Sequence, residues 1–370
     1  MKYYIIAGEA SGDLHASNLL KELRKIDDQA QFRAWGGDLM QEQGATIVKH
    51  YRELAFMGFT EVLMNLKTIL RNMKFCVEDI LRFKPDVVIM VDYPGFNLRV
   101  AKKLREHGIK VFYYISPQVW AWKQSRVKTI REVVDKMFVI LPFEKEFYRK
   151  WNYEVEFVGH PLLDAIQHLP AADTEWKKSL GLRVKPIIAL LPGSRKQEIS
   201  RMLPIMLATS KKFPDYDFVI AGAPSQTEEY YRSFMGNHTI PLVFGKTYDI
   251  LRNSEAALVT SGTATLETAL LNIPEVVCYK GGKISYHIAR RLIKVKFISL
   301  VNLIMDREVV KELIQDDFNV EQLSRELQRI LPGTAERDQL LRDYQSLREI
   351  LGNSGASALT ASLMLKTLKS

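Results

Sequence analysis

Short β-rich runs alternate with longer amphipathic stretches along the whole 370-residue chain. Val87–Val91 and Ile187–Leu191 are apolar without polar alternation, which is typical of strands covered on both faces. Helical patterns such as Leu98–His107 and Ser200–Lys212 lie between such runs. This order favours βαβ units and predicts an α/β fold with parallel sheets. The predicted strands are Tyr3–Ala7, Gln31–Trp35, Asp86–Val91, Lys110–Ile115, Met137–Leu141, Val155–Val158, Pro186–Leu191, Asp217–Ala221, Pro241–Phe244, Ala256–Thr260 and Glu275–Tyr279.

The length indicates two domains, because a typical domain has about 150 residues. A hinge is predicted at Gly159–Pro161 and in the following segment Leu169–Glu175. After about residue 318 the pattern is wholly helical. We therefore predict α/β domains at 1–168 and 169–349, followed by a helical tail at about 350–370. Two doubly wound, Rossmann-like halves should face a cleft, with ligands at the carboxyl ends of the strands.

The charge of the chain indicates an anionic partner. Lys and Arg number 52 against 43 Asp and Glu, which gives a formal net charge of +9. Nucleic acid, acidic lipid headgroups and phosphorylated substrates are the classes of partner that such a surface can bind. The positive charges are dispersed, and no helix-turn-helix, zinc or RRM-type signature occurs, so a nucleic-acid partner is not expected.

Cysteine content and hydropathy predict the compartment. Cys76 and Cys278 form neither a disulfide framework nor a zinc motif, so a reducing cytosol is expected. The apolar run Tyr3–Ala7 is too short for the core of a signal peptide. No stretch reaches 18 apolar residues, so the chain is expected to be soluble or to lie on a membrane surface.

Two turns in the second half resemble anion-binding loops, each between a predicted strand and a predicted helix. In the first, Gly193 and Ser194 allow close backbone approach, and Arg195 can pair with a diphosphate without a metal. In the second, the first N–H groups of the predicted helix are available to phosphate oxygens. One helical turn later, a carboxylate could accept hydrogen bonds from two ribose hydroxyls. The residues of this second motif are Ser261, Gly262, Thr263 and Glu267. Together the two turns favour a nucleotide-diphosphate site over two plain capped turns.

A third turn, Gly8–Asp13, lies between the first strand and the first helix. Ser11 or Asp13 could cap that helix, whose N–H groups attract anions. The pattern is neither G-x-G-x-x-G nor a P-loop. A ligand-binding turn and a plain βα turn are equally good interpretations of these residues.

Asp92 follows the buried strand Val87–Val91 and should therefore point into the cleft, where a partly desolvated carboxylate can act as a general base. An N-cap or turn aspartate is an equally good interpretation of its spacing. His160 is the histidine placed to face the cleft, and no pair of histidines has metal-ligand spacing. Trp120 and Trp122 belong either to the core or to a sugar or acyl contact.

The segment Leu54–Phe75 has more apolar side chains than one packing stripe requires, and its later part is basic. Periodicity alone slightly favours a core helix with a basic outer face. The alternative is an interfacial segment that enters lipid while its cations meet anionic headgroups. The apolar residues assigned to this contact are Met57, Phe59, Val62, Leu63 and Leu66.

Taken together, these motifs resemble those of the lipid-A-disaccharide synthases, which are bacterial inverting glycosyltransferases of the GT-B architecture. The resemblance covers essentially the whole chain, in order and in spacing. A departure is Gly95, where many members of the family have a second aspartate; this leaves Asp92 as the better base. The motifs are Gly8–Asp13, Glu53–Gly58, Asp92–Asn97, Ser116–Lys123, Leu141–Phe147, Leu191–Arg195, Ser261–Glu267 and Ser299–Asn302.

The resemblance implies that UDP-2,3-diacylglucosamine and 2,3-diacylglucosamine 1-phosphate are joined through a β-1,6 linkage, with release of UDP. Asp92 would deprotonate the acceptor, and neither a metal nor another cofactor is expected. The donor would be held by Gly193, Ser194, Arg195, Ser261, Gly262, Thr263 and Glu267. The sugars and the acceptor would be contacted by Glu9, Ser11, Gly12, His160 and Asn302. A UDP-N-acetylglucosamine 2-epimerase-like isomerase of the same fold is the alternative.

The resemblance also changes the interpretation of Leu54–Phe75, because both implied substrates carry acyl chains. It favours the lipid-facing interpretation and a cytoplasmic protein associated peripherally with the inner membrane. The helical tail would return to the first domain, as in GT-B enzymes generally, or be exchanged between the protomers of a homodimer.

Overall fold

The fold comes from a computed structural model that describes residues 1–54, 66–122, 124–167, 169–182, 185–282 and 296–370. The chain forms two compact units, which are Met1–Asp164 with Asn353–Ser370, and Ala165–Gly352. The sequence predicts divisions after residues 168 and 349. The units themselves divide after Asp164 and after Gly352.

The first half of the chain alternates strands and helices. Its strands are β1 (Lys2–Ala7), β2 (Gln31–Gly36), β3 (Thr46–His50), β4 (Val87–Val91), β5 (Val111–Tyr114), β6 (Lys136–Val139) and β7 (Glu156–Phe157). Its helices are α1 (Ala10–Ile26), α2 (Asp38–Glu42), α3 (Leu66–Phe83), α4 (Pro94–Arg105), α5 (Val119–Trp122), α6 (Arg126–Val133), α7 (Pro142–Arg149) and α8 (Pro161–Gln167).

The second half continues in the same way and ends in helices. Its strands are β8 (Ile187–Leu191), β9 (Asp217–Gly222), β10 (Leu242–Phe244), β11 (Ser254–Thr260), β12 (Glu275–Tyr279) and β13 (Lys311–Ile314). Its helices are α9 (Glu175–Ser179), α10 (Lys196–Ser210), α11 (Glu228–Met235), α12 (Thr247–Arg252), α13 (Thr263–Leu270), α14 (Leu300–Met305), α15 (Val320–Arg329), α16 (Ala335–Leu351) and α17 (Ala356–Lys369).

The first unit is built on a parallel sheet with the strand order β3-β2-β1-β4-β5-β6-β7. Every residue of β4 is buried, as its continuous apolar sequence predicts for a strand covered on both faces. The C-terminal helix α17 belongs to this unit and packs against α1. Asp164 anchors its start, because the carboxylate accepts hydrogen bonds from the amides of Gly355 and Ser357.

The second unit has a parallel sheet in the order β10-β9-β8-β11-β12-β13. Its first strand, β8, is buried at every position. Both sheets therefore place their first strand centrally and add later strands on either side, which is doubly wound topology. The predicted α/β, doubly wound fold class is confirmed, including the helical C-terminal region.

Two strands, β3 and β13, were not predicted from the sequence. Both are edge strands in the described sheets, and their residues are mostly half-exposed. An edge strand needs fewer apolar residues than a central one, so Thr46–His50 and Lys311–Ile314 lack a continuous apolar signal.

Candidate active site

Each sheet reverses its strand order at one point, and the predicted site residues follow the strands on both sides of it. In the first unit the reversal lies between β1 and β4, where Ala7 pairs with Val91. In the second unit it lies between β8 and β11, where Leu191 pairs with Val259. Ligands of open α/β sheets bind outside the carboxyl ends of the strands at such a switch point. The topology therefore brings the turns together in pairs, one pair in each unit.

In the first unit, the turn after β1 packs against the turn after β4. A side chain at Gly8 would place its Cβ 2.5 Å from the ring of Tyr93, so this close approach requires glycine. Gly12 is buried beside Ala7. Glu9 precedes α1, and Ser11 is exposed in its first turn. The predicted acceptor residues Glu9, Ser11 and Gly12 thus lie at one helix start.

Asp92 and Tyr93 have backbone conformations that are unusual for residues with side chains. Their φ angles are 44° and 50°, in the left-handed region. The carbonyl of Asp92 is fixed by two side-chain donors, the Nδ2 of Asn97 at 2.7 Å and the hydroxyl of Tyr113. Such strain costs about 1–3 kcal/mol per residue and concentrates at functional sites. The fold therefore fixes the backbone of Asp92, from which its carboxyl projects, at the end of β4.

The electrostatic surroundings of Asp92 favour a proton-accepting role near neutral pH. Asp92 is an exposed residue, although the surrounding protein partly desolvates its carboxyl. Desolvation, followed by the negative charge of Glu9, raises its pKa from 3.8 to about 6. A carboxylate with this pKa is ionised at pH 7 and is a stronger base than an ordinary aspartate.

Asp13 has a role that its sequence position does not reveal. Neither Ser11 nor Asp13 makes a side-chain cap on α1, because both lie inside its first turn after Glu9. The buried Asp13 carboxylate instead accepts from the amides of Gly37 and Met40, among others, at the start of α2. Asp13 therefore fixes the chain after β2 and is not directed at a ligand.

His160 is buried rather than displayed, with 2 % of its surface exposed. Its Nδ1 accepts from the amide of Leu162 at 3.2 Å. Burial, followed by the nearby charge of His15, lowers the pKa of His160 to about 3, and burial lowers that of His15 to about 4. Both rings are neutral at pH 7. The proposed contact of His160 with the acceptor stays a prediction.

In the second unit, the turn after β8 is filled by a carboxylate of the chain itself. Glu198 accepts from the amides of Ser194 and Arg195 at 3.1 and 3.2 Å. The guanidinium of Arg195 lies 3.7 Å from Glu198, and its side chain is 62 % exposed. The two amides are thus already occupied, and what this turn offers to a diphosphate is the Arg195 side chain. Glu198 at the third helical position, a capping-box signal, could have indicated this from sequence.

Gly193 should be intolerant of substitution, because its φ is 106° and an added Cβ would lie 2.7 Å from that of Glu198. We expect Gly193→Ala to lower the free energy of unfolding by about 2–3 kcal/mol, measured by urea denaturation. Gly262→Ala is the matched control, because Gly262 has an extended φ of 164° and open space around its Cβ position. Equal stability of the two variants would contradict this expectation.

The turn after β11 has no such internal anion among the described residues. Helix α13 begins at Thr263 without a side-chain cap, so its first N–H groups are suited to phosphate oxygens. Ser261 donates its hydroxyl to the carbonyl of Ile298 at 2.9 Å. Glu267 is partly exposed; burial raises its pKa, while a hydrogen bond from Tyr248 opposes that shift.

Asn302 is fully buried and forms the centre of a hydrogen-bond network inside the second unit. Its Oδ1 accepts from the amides of Val309 and Val310, at 2.7 and 2.9 Å. Its Nδ2 donates to the carbonyl of Val310 and to Glu312, both at 2.9 Å. The side-chain amide of Asn302 therefore already makes all four hydrogen bonds of which it is capable, and all are within the protein. A sugar contact would have to replace one of these bonds, and that role stays a prediction.

The proposed lipid contact lies largely outside the described residues. Met57, Phe59, Val62 and Leu63 are not among them, and Leu66 is described only as the first residue of α3. Further along α3, Leu70 and Phe75 are 50 % and 43 % exposed. Their exposed neighbours on this helix include three cations, which are Lys67, Arg71 and Lys74. Within the described part of the chain, no helix combines the length and the apolar character that crossing a bilayer requires.

The described residues contain no group of three or more His, Cys, Asp or Glu side chains arranged to hold a metal ion. Metal-independent chemistry stays a prediction. His15 and His160 lie close enough to interact, and both are buried.

Solved structures show which architecture the fold has. A UDP-GlcNAc 2-epimerase from Neisseria meningitidis, bound to UDP-GlcNAc, is 14% identical, with a TM-score of 0.69 over 99% of this chain and 100% of that one. The S. aureus MnaA–UDP co-structure is 12% identical, with a TM-score of 0.69 over 100% and 97% of the two chains. At these identities the likeness shows the fold alone. That fold and its two switch points define a GT-B-type protein.

Sequence comparison is more specific. The family model described as Lipid-A-disaccharide synthetase matches residues 3–366. Lipid-A-disaccharide synthases of Myxococcus xanthus and Syntrophus aciditrophicus are each 41% identical, over 98% and 99% of this chain and 97% of theirs. The chain therefore belongs to the lipid-A-disaccharide synthase family, whose members are glycosyltransferases, as its motifs predict.

Proposed function

We propose that this enzyme transfers 2,3-diacylglucosamine from UDP to the 6-hydroxyl of 2,3-diacylglucosamine 1-phosphate. The products are a β-1,6-linked disaccharide 1-phosphate and UDP. The observation that carries the proposal is the position of Asp92, a carboxyl with a pKa of about 6 in a strained turn at a switch point. Family membership supports the substrates.

The donor is assigned to the switch point of the second unit. The exposed Arg195 guanidinium and the uncapped start of α13 supply positive charge for a diphosphate. Glu267 accepts from the ribose hydroxyls. The residues proposed to bind the UDP-sugar donor are Gly193, Ser194, Arg195, Ser261, Gly262, Thr263 and Glu267.

The acceptor is assigned chiefly to the first unit. Asp92 takes the proton of the 6-hydroxyl, whose oxygen attacks the anomeric carbon on the face opposite UDP. The bond from that carbon to the UDP oxygen breaks, and the leaving diphosphate keeps the electron pair beside Arg195. The configuration inverts, and no metal or other cofactor takes part. The other residues proposed to contact the acceptor are Glu9, Ser11, Gly12, His160 and Asn302.

The test is UDP release with and without the diacylated acceptor phosphate, in buffer with and without EDTA. Acceptor-dependent UDP release that EDTA leaves unchanged, together with a β-anomeric product by NMR, supports the proposal. UDP release that does not depend on the acceptor, or epimerisation of a UDP-sugar, would favour the isomerase alternative. Loss of activity in EDTA would contradict the metal-independent step.

We further propose that the enzyme is cytoplasmic and binds the inner-membrane surface peripherally, because both proposed substrates carry acyl chains. The segment assigned to this contact is Leu54–Phe75. The apolar side chains of Leu70 and Phe75 and the cations beside them on α3 support the assignment, since an interfacial segment needs both features.

Serine at Met57, Phe59 and Leu63 should weaken binding to anionic phospholipid vesicles at least tenfold, because burial of even one of these side chains in lipid contributes about 1.5–3 kcal/mol of transfer free energy. Vesicle sedimentation measures the effect. Leu180→Ser with Ile350→Ser is the control, since these exposed apolar residues lie in the second unit. Undiminished binding by a folded triple variant would refute the lipid contact.

A homodimer with exchanged C-terminal helices is the remaining part of the proposal. In the single chain, α17 packs on α1 and its start is bonded to Asp164, so an exchanged helix would make the same contacts with a partner. Light scattering would measure the oligomeric state. A monomer at micromolar concentration would exclude the exchange.

A further inference from the structure

Glu267, the carboxylate assigned to the donor ribose, is held by a second residue that no motif indicates. The hydroxyl of Tyr248 donates to its Oε1 at 2.8 Å. Both side chains are partly exposed. Tyr248 belongs to α12, which contacts β9 and β11, and Glu267 belongs to α13, directly after β11. The bond therefore joins the helix that precedes β11 to the helix that follows it.

Helix α12 is itself anchored to the segment that enters the second unit. Lys246 donates to the carboxylate of Asp173 at 2.7 Å. Asp249 accepts from the amide of Asp173 at 3.1 Å, and Arg252 bonds both Asp249 and the carbonyl of Pro170. These contacts hold α12 immediately before and after Tyr248. The phenol consequently has a fixed position relative to Glu267.

We propose that Tyr248 is a positioning residue for recognition of the donor ribose, with Asp173 as the anchor that holds its helix. This inference rests on the proposed function, which gives Glu267 its ribose contact. A bond to Oε1 orients the carboxylate, so that Oε2 can accept from the two ribose hydroxyls. It also favours the ionised form of Glu267 against the opposing effect of burial. Without the phenol, the carboxylate can rotate and its acceptor capacity falls.

The experiment compares UDP with 2′,3′-dideoxy-UDP by calorimetry, using the full-length protein and its Tyr248→Phe variant. The wild type should prefer UDP. Tyr248→Phe should weaken UDP binding about tenfold, the loss of one hydrogen bond to a charged group, and leave dideoxy-UDP binding unchanged. Tyr216→Phe is the matched control and should change neither affinity. Tyr216 lies just before β9, at the amino ends of the parallel strands, whereas Glu267 follows the carboxyl end of β11.

A double-mutant cycle with Glu267→Gln distinguishes positioning from a general structural effect. If Tyr248 acts through Glu267, the double variant binds UDP no more weakly than Glu267→Gln alone. Asp173→Asn should give a smaller loss, about two- to threefold and specific to UDP, because it removes one surface ion pair.

Equal weakening of UDP and dideoxy-UDP by Tyr248→Phe, or additive effects in the cycle, would overturn the positioning role and leave the ribose contact of Glu267 intact. A wild type that does not distinguish the two nucleotides would instead remove Glu267 from the ribose, and Tyr248 with it. The transfer reaction would be unaffected by either result, since acceptor-dependent UDP release tests it separately.

Discussion

Replacing Asp92 with asparagine should lower the turnover number by about 10²–10⁴-fold while leaving the affinity for UDP unchanged. Asparagine tolerates the left-handed backbone conformation at this position and keeps the size of the side chain. The substitution therefore removes the proton acceptor without disturbing the turn. Steady-state UDP release gives the turnover, and calorimetry with UDP gives the affinity. Near-normal turnover would remove Asp92 from the role of base.

Loss of stability should not account for that loss of turnover. The pKa of Asp92, about 6, is above its ordinary value of 3.8, so the folded state favours the protonated form. The stabilisation is complete below about pH 4 and is lost as the pH rises through about 6. A neutral asparagine is thus expected to be at least as stable as the ionised carboxylate at pH 7, which thermal unfolding would verify.

The same pKa predicts the acidic limb of the pH profile of kcat/KM. The base acts when it is ionised, so activity should rise with pH through about 6 and then level off. Glu9 supplies the second cause of the raised pKa. Glu9→Gln should therefore move the limb to lower pH, and an unchanged limb would mean that another group titrates there.

The fold class could be predicted because the buried strands carry their own signal. The apolar runs of β4 and β8 show that both faces are covered, and the intervening helical patterns indicate parallel order. The strand order could not be obtained in this way, since pairing of β1 with β4 joins residues far apart in sequence. The edge strands β3 and β13 were missed because half-exposed strands need little apolar sequence.

The position of a candidate residue was predictable where it follows a central strand, as Asp92 and Arg195 do. It was not predictable where the partner of a group is distant in sequence. Strand β11 separates Tyr248 from Glu267 in the sequence. Only the fold brings the hydroxyl of Tyr248 to 2.8 Å from the Oε1 of Glu267. Asp13 likewise looks like a helix cap for its own helix but bonds amides after β2. Local sequence places the backbone turns, and tertiary contacts decide which polar atoms face a ligand.

For Asn302, the family resemblance implies a sugar contact, whereas the tertiary contacts indicate a structural role. Of the substitutions considered, Asn302→Ala should lower the stability of the fold the most. The side chain has four hydrogen bonds in a fully buried position. Its loss removes the acceptor of the Val309 and Val310 amides and one of the donors to the Glu312 carboxylate, which keeps the amides of Ile298 and Ser299. We expect the free energy of unfolding to fall by about 3–5 kcal/mol, as for other broken buried networks. Urea denaturation measures the change.

Asn319→Ala is the control for Asn302→Ala. The Oδ1 of Asn319 accepts a helix-capping bond from the amide of Gln322, and its Nδ2 donates only to exposed carbonyls, those of Asp316 and Asp317. Its replacement should cost about 1 kcal/mol. If Asn302 is only structural, a folded variant at low temperature should retain the wild-type KM for the acceptor. A variant that keeps its stability but raises that KM would show the opposite, that Asn302 exchanges an internal bond for the sugar. Stability and KM together thus distinguish the structural role that the hydrogen-bond network of Asn302 indicates from the sugar contact that the family resemblance implies.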